Sequence, residues 1–244
     1  MGVRWADGRV AIEDSVAMPH GITGKALRDG YWDDIRALTL GLVRARDNAV
    51  WLGPLELIRF GRPKLAPTSV QWPIEGGLLA RAPGGRLRIE RLYGRLVASV
   101  VGYRPMLPRF VYALTQLPIH RTWTRLHLLR TRGRTPAPGV RAGRDRRLAA
   151  AAIDLSLCIA VAAVIVRRKW VPVLIGVAAG YHLASWSISG RTFGGALLKQ
   201  RVVSVDGSGL SAGQAIVRFA LLPVALARRR GVHDEIAGTE VVAD

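Results

Sequence analysis

The sequence predicts an α+β soluble domain, an antiparallel sheet with a long C-terminal helix, followed by an α-helical membrane module. Three observations carry that prediction. Up to about Val140 the chain mixes short apolar runs, charges and turn pairs. Beyond it lie two long apolar runs, Leu148 to Val166 and Trp170 to Ile188, each about the length that crosses a hydrocarbon core of ~30 Å as a helix. Between the two regions stands Thr135-Pro136-Ala137-Pro138-Gly139, a Pro/Gly stretch with basic flanks. The expected organisation is a domain over 1–135, a linker over 136–143 and a membrane domain over 144–244.

The elements of the first domain follow in order. VRWADGRVAIEDSVAM alternates and turns at Asp7-Gly8, a strong short-range hairpin signal. A helix is expected from Asp29 through Leu40, with Tyr31, Ile35, Leu38 and Leu40 as its buried stripe. Strand-like runs succeed it: LVRARDNAVWL around Asp47-Asn48, then LELIRF, SVQWPI, GLLARA, RLRIERL and RLVASVVGY, with Gly84-Gly85 and Tyr93-Gly94 as tight hairpin connections. In LPRFVYALTQLPIHRTWTRLHLLRTRGR, Leu107, Phe110, Val111, Leu114 and Leu117 recur at helical spacing, and Trp123, Leu126 and Leu129 continue the pattern. Pro118 is expected to kink or divide that helix.

A curved antiparallel sheet closed by a long helix resembles, by architecture alone, the helix-grip fold of polyketide cyclase and lipid-transfer-like proteins. The resemblance covers roughly Val3 to Arg132 and brings over no catalytic residue. It implies either an apolar cavity for a hydrophobic small ligand or a filled core.

Composition narrows the partners. The formal net charge is +19 and the sequence pI ≈ 11.5, which points to an anionic partner or to a genomic bias towards Arg, Ala and Gly. With spanning helices present, the basic residues fit a bilayer with anionic lipids, and nucleic acid is the less suitable partner. Cys158 is the only cysteine, so no disulfide forms within the chain. Asp7, Glu13, Asp14 and Asp29 interrupt the first thirty residues, which therefore lack the apolar core of a signal peptide. A multi-pass protein of the cell membrane is expected, with its N-terminal domain in the cytoplasm.

In the second domain, Arg167-Arg168-Lys169 is short enough to join the two apolar runs only as an antiparallel hairpin, and Trp170 and Trp186 sit near the ends of the second. Val202, Val203 and Val205 before Asp206-Gly207 read as a strand entering a turn. Ser211 and Gln214 form a capping box for a helix through Ala227. Ser211, Gln214 and Arg218 fall on one face of it, opposite Ile216, Phe219, Leu222 and Leu226, which favours an interfacial or re-entrant helix over a third span, since a span would place Arg228-Arg229-Arg230 outside.

One acid, Asp154, lies inside the first apolar run, where an ionisable group is costly and marks a pathway or a pairing site. Arg147 is seven residues before it, on the same face but about 10 Å away along the axis. His182 lies at a matching depth on the second helix. Small residues line the opposite faces, Ala152, Ser156, Ala160 and Ala163 on one helix and Gly176, Gly180 and Ala184 on the other. Either the polar faces meet within the hairpin and the small faces pair subunits of a homo-oligomer, or the reverse.

Arg147 with Asp154, then Gly190-Arg191-Thr192-Phe193-Gly194, Arg201-Val202-Val203, Asp206-Gly207, Arg218 and RRRGVHDEIAGTEVV with His233, resemble the RDD family of bacterial membrane proteins over about Arg144 to Val242. The resemblance implies a small multi-span module with a suspected transport role and makes Arg147, Asp154 and Asp234 the family's arginine and two aspartates. Gly195 departs from it, standing where a lysine is common. No phosphate-binding glycine loop, nucleophile elbow or metal spacing among His20, His120, His127, His182 and His233 supports an enzyme, and no cofactor is implied.

Overall fold

The computed structural model describes residues 2–165, 170–228 and 231–244. The Arg167-Arg168-Lys169 turn and Arg229-Arg230 lie outside the described residues, as does the side chain of Leu226. The chain divides into two compact units, Met1–Gly133 and Arg134–Asp244.

In the N-terminal unit, β1 (Gly2–Ala6) and β2 (Arg9–Ala17) form a hairpin through Asp7 and Gly8, at φ +49° and +71°. Two left-handed central residues match the twist of the flanking strands. After α1 (Gly24–Leu38), the same device at Asp47-Asn48 joins β3 (Val43–Arg46) to β4 (Ala49–Leu52). Then come β5 (Leu55–Phe60), β6 (Lys64–Ala66), β7 (Ser69–Gly76), β8 (Ala80–Ala82) and β9 (Gly85–Leu92), which turns at Tyr93-Gly94 into β10 (Arg95–Pro105). The strands make one large antiparallel sheet in the order β1-β2-β10-β9-β7-β5-β4-β3, with β6 on β7 and β8 on β10. Gly84-Gly85 is thus no hairpin, because β8 pairs with the far end of β10 instead of with β9.

Helix α1 begins five residues before the expected Asp29. Thr23 caps it, its hydroxyl accepting from the Ala26 amide at 3.2 Å. Gly24 lets this end approach the sheet: a Cβ there would stand 2.2 Å from the Ala66 carbonyl oxygen. Leu27, Tyr31 and Ile35 form the buried stripe, whereas Leu40 lies past the helix end and is exposed. The closing helix is divided, as α2 (Arg109–Leu114) and α3 (Gln116–Arg132). Pro118 falls in the first turn of α3, where its missing N–H leaves no intrahelical bond unmade. On α2 the apolar stripe faces outward, Phe110 being 74 % and Leu114 64 % exposed, while Tyr112 turns inward. The ring of Tyr31 packs at 5.0 Å from Trp72, 5.2 Å from Trp123 and 5.4 Å from His127. These aromatics pack between helices and sheet, where the helix-grip resemblance allows either a cavity or a filled core.

The C-terminal unit contains α4 (Arg144–Ile165), α5 (Trp170–Ile188), α6 (Phe193–Leu197), β11 (Gln200–Ser204), α7 (Ala212–Ala220), α8 (Leu222–Arg228), α9 (Val232–Ala237) and β12 (Thr239–Ala243). Helices α4 and α5 are long and apolar enough to cross a membrane, and only 22 % and 6 % of their apolar windows are buried. The core helix of a water-soluble domain would be mostly covered. On α4 the buried positions are Ala150, Asp154, Cys158 and Ala162, one per turn, while Leu155, Leu157, Ile159 and Val161 face outward. The small-residue faces of both helices are also exposed, so the polar faces are the ones that meet inside the unit.

Strand β12 pairs with β11, and the last part of the expected linker joins it: Arg141 bridges to Val242 and the Ala142 amide donates to the Val241 carbonyl. The Ser211/Gln214 capping box is present, but the helix it starts ends at Ala220 and resumes as α8. Its polar stripe points inward, Gln214 being 0 % and Arg218 4 % exposed, while Ile216 is 54 % exposed. Trp186 is buried rather than placed at an interface.

Candidate functional site

Two side-chain networks meet around one cavity of the C-terminal unit, and each is organised by one of the aspartates singled out in the sequence.

Asp154 anchors the first. Its Oδ1 accepts from the Tyr181 hydroxyl at 2.7 Å and from the Gly194 amide at 2.8 Å, and the Tyr181 oxygen in turn accepts from the Phe193 amide at 2.6 Å. One buried carboxylate oxygen thus ties α4 to α5 and to the start of α6. The local sequence makes this possible. Thr192 caps α6, accepting from the Gly195 amide at 3.1 Å, and a Cβ on Gly194 would lie 2.3 Å from the Ala150 carbonyl oxygen. Gly190 makes the preceding turn at φ +71°, and a Cβ there would stand 2.6 Å from the Val202 carbonyl oxygen.

Asp234, on α9, anchors the second. Arg147 donates to its Oδ2 at 2.6 Å, Arg218 forms an ion pair with Oδ1, and the Thr239 hydroxyl donates to Oδ1 at 2.9 Å. Arg218 also donates to Thr239 Oγ1 at 2.7 Å and lies over the Trp186 ring, 4.9 Å from its centroid. Arg134 adds backbone bonds, to the Asp234 carbonyl at 2.8 Å and the Thr239 carbonyl at 3.2 Å. The inward face of α7 is completed by Gln214, whose amide donates to Ser204 Oγ and the Ala237 carbonyl. Burial, and then the charge of Arg147, push the Arg218 guanidinium down to about 9, still cationic at neutral pH. Burial, followed by Arg218 and Arg147, pulls His233 down to about 3, so its imidazole is neutral. His233 Nε2 lies 3.4 Å from Asp234 Oδ2.

The structure therefore distributes the residues read from the sequence. Arg147, Asp234, Arg218 and His233 come together. Asp154 does not join them, and it does not pair with His182: its partner is Tyr181, one residue earlier. The His182 ring bonds its own helix instead, Nδ1 standing 2.8 Å from the Ala178 carbonyl, and packs 4.9 Å from the Trp186 ring. Asp206 and Gly207 build the turn after β11, Asp206 Oδ1 accepting from Ser208 Oγ at 2.6 Å and Gly207 taking φ +83°. Tyr181 and Arg134 carried no signal in the sequence beyond Tyr181 adjoining His182, and Thr239 stood only within the quoted run from Arg228 to Val242.

The cavity measures ≈ 490 Å³ and is lined by Arg147, Asp154, His182, Arg218 and His233 among others, with an apolar wall that includes Leu148, Leu222 and Val241. Among the described residues no three His, Cys, Asp or Glu side chains are grouped to hold a metal. No family model matches the chain, nor does any curated protein or solved structure.

Proposed function

We propose that the C-terminal unit is a membrane module of the RDD type whose Arg147/Asp154/Asp234 site serves an ion or small solute, the N-terminal unit being its cytoplasmic attachment. One observation carries this reading: Asp154, Arg218 and Asp234 are buried in or beside a cavity, while the large apolar side chains of α4, Leu155, Leu157, Ile159 and Val161, face outward. A carboxylate buried on an apolar helix and a largely buried Asp234–Arg218 ion pair are expensive to bury and mark a site. The outward small-residue faces favour a homo-oligomer formed through Gly176, Gly180 and Ala184. The test is reconstitution of the full chain in lipid vesicles with flux measured under proton, sodium and anion gradients. Flux lowered by Asp154→Asn is the expected result; silence under every gradient, in parent and variant alike, overturns the transport part.

A further inference from the structure

The walls of the cavity carry more positive than negative charge. Arg144, Arg147, Arg201 and Arg218 line it, against Asp154, whose Oδ1 already holds two donors. Asp234 is shared between Arg147 and Arg218, Arg201 Nε pairs with Asp244 at 3.3 Å, and Arg144 has no acid within ion-pair distance among the described residues. Three side-chain atoms of the lining residues are buried with no partner among the described residues: Arg218 Nε, Gln200 Oε1 and His233 Nδ1. Arg218 and Gln200 are each 4 % exposed.

We infer that this cavity binds an oxyanion of the phosphate type, an inference that rests on reading the unit as a membrane solute site. A guanidinium presents a planar set of donors that fits phosphate oxygens, and Arg218 offers Nε while its Nη1 is held by Asp234 and Thr239. With the His233 proton on Nε2, towards Asp234, Nδ1 is an acceptor, as is Gln200 Oε1. A hydroxylated phosphate group matches this mixture of donors and acceptors, having acceptor oxygens for the arginines and an O–H for the histidine or the glutamine. A metal cation would face the four guanidinium groups instead. The apolar wall of Leu148, Leu222 and Val241 has room for the carbon part of a phosphate ester. Free phosphate and a phospholipid headgroup share this chemistry.

The test uses the full chain in non-ionic detergent. Inorganic phosphate is titrated calorimetrically at constant ionic strength, and native mass spectrometry compares retention of phosphatidylglycerol with phosphatidylcholine. Saturable phosphate binding is expected, weakened about two- to fivefold by Arg144→Gln and by Arg201→Gln, exposed rim substitutions that leave the Asp234 pair intact. Selective retention of phosphatidylglycerol, displaced by phosphate, identifies the headgroup as the source; phosphate binding without lipid retention identifies the free anion. Absence of binding by both probes, or binding that the Arg144→Gln/Arg201→Gln double variant leaves unchanged, overturns the inference. Vesicle flotation is scored separately: protein that floats without binding either probe refutes only the oxyanion site, and protein that binds phosphate but does not float refutes only the membrane reading.

Discussion

Replacing Asp234 with Asn keeps the side-chain volume and an acceptor for Thr239 while removing the charge between two arginines. The Arg218 side chain is 5 % exposed and that of Asp234 10 %, so bulk water replaces little of the lost partner. Breaking a buried ion pair from one side costs about 3–5 kcal/mol, because the remaining charge stays buried. At about 4–8 °C per kcal/mol for a unit near this size, the melting temperature is expected to fall by more than about 10 °C. The Arg147 side chain is 37 % exposed, and water can take over part of its contact, so Arg147→Gln is expected to cost about 1 kcal/mol or less. Cys158 provides the assay. It is the only cysteine of the chain and is buried in α4, so a maleimide that fluoresces on reaction reports the opening of this unit alone as the detergent-solubilised protein is heated. A shift of under 1 kcal/mol for Asp234→Asn, or a larger loss for Arg147→Gln, would refute the assignment of the Asp234–Arg218 pair as the core of the network.

Gly194→Ala is expected to lower the same Cys158 transition by about 1–3 kcal/mol or more, since the new methyl meets the rigid Ala150 backbone; Gly209→Ala, with nothing within 4 Å, should leave it unchanged, and equal effects would contradict the close packing of α6 on α4. Tyr181→Phe removes the hydroxyl between Asp154 and the Phe193 amide and should cost about 1–3 kcal/mol, read in the same way. His233 binds its proton near pH 3 when folded against about 6.5 when unfolded, so the unfolded chain takes up the extra proton between those values. The stability this group contributes is complete above pH 6.5 and declines towards pH 3, by at most about 5 kcal/mol; His233→Gln should flatten the profile, and a parent as flat as the variant would count against a buried neutral imidazole. In the N-terminal unit Trp72→Ala should cost about 3–5 kcal/mol in the unfolding followed by tryptophan fluorescence, as Trp72 is fully buried against Tyr31.

The features legible in the sequence are those fixed by neighbours along the chain. Asp7-Gly8, Asp47-Asn48 and Tyr93-Gly94 announce their turns because two adjacent residues must accept a left-handed backbone, and Ser211 with Gln214 announces a helix start because each bonds the other's backbone. Direction across space is harder to read. Counting 1.5 Å per residue brings the second helix to the depth of Asp154 within one residue, but one residue turns a side chain by 100° and exchanges His182 for Tyr181. The start of α1 escaped because Thr23 and Gly24 act through a cap and through a close approach to β6 and β7, contacts remote in sequence.

The larger gap concerns which side of an amphipathic helix is inside. Periodicity separates a polar stripe from an apolar one and says nothing about what surrounds them. In α1 the ordinary sense holds: Leu27, Tyr31 and Ile35 are buried while Asp33 and Arg36 face out. In α4 and α7 the sense is reversed, with Asp154, Gln214 and Arg218 inside and Leu155, Ile159 and Ile216 outside. Water would penalise that arrangement twice, by exposing apolar area and by taking charges out of solvent. An apolar surround makes it favourable, since every polar group must then find its partner within the protein. An outward apolar stripe also occurs on α2 of the N-terminal unit, where Phe110 and Leu114 are exposed, so periodicity leaves the inside undecided in both units. On α4, long and apolar enough to cross a membrane, an apolar surround fits the membrane module proposed above.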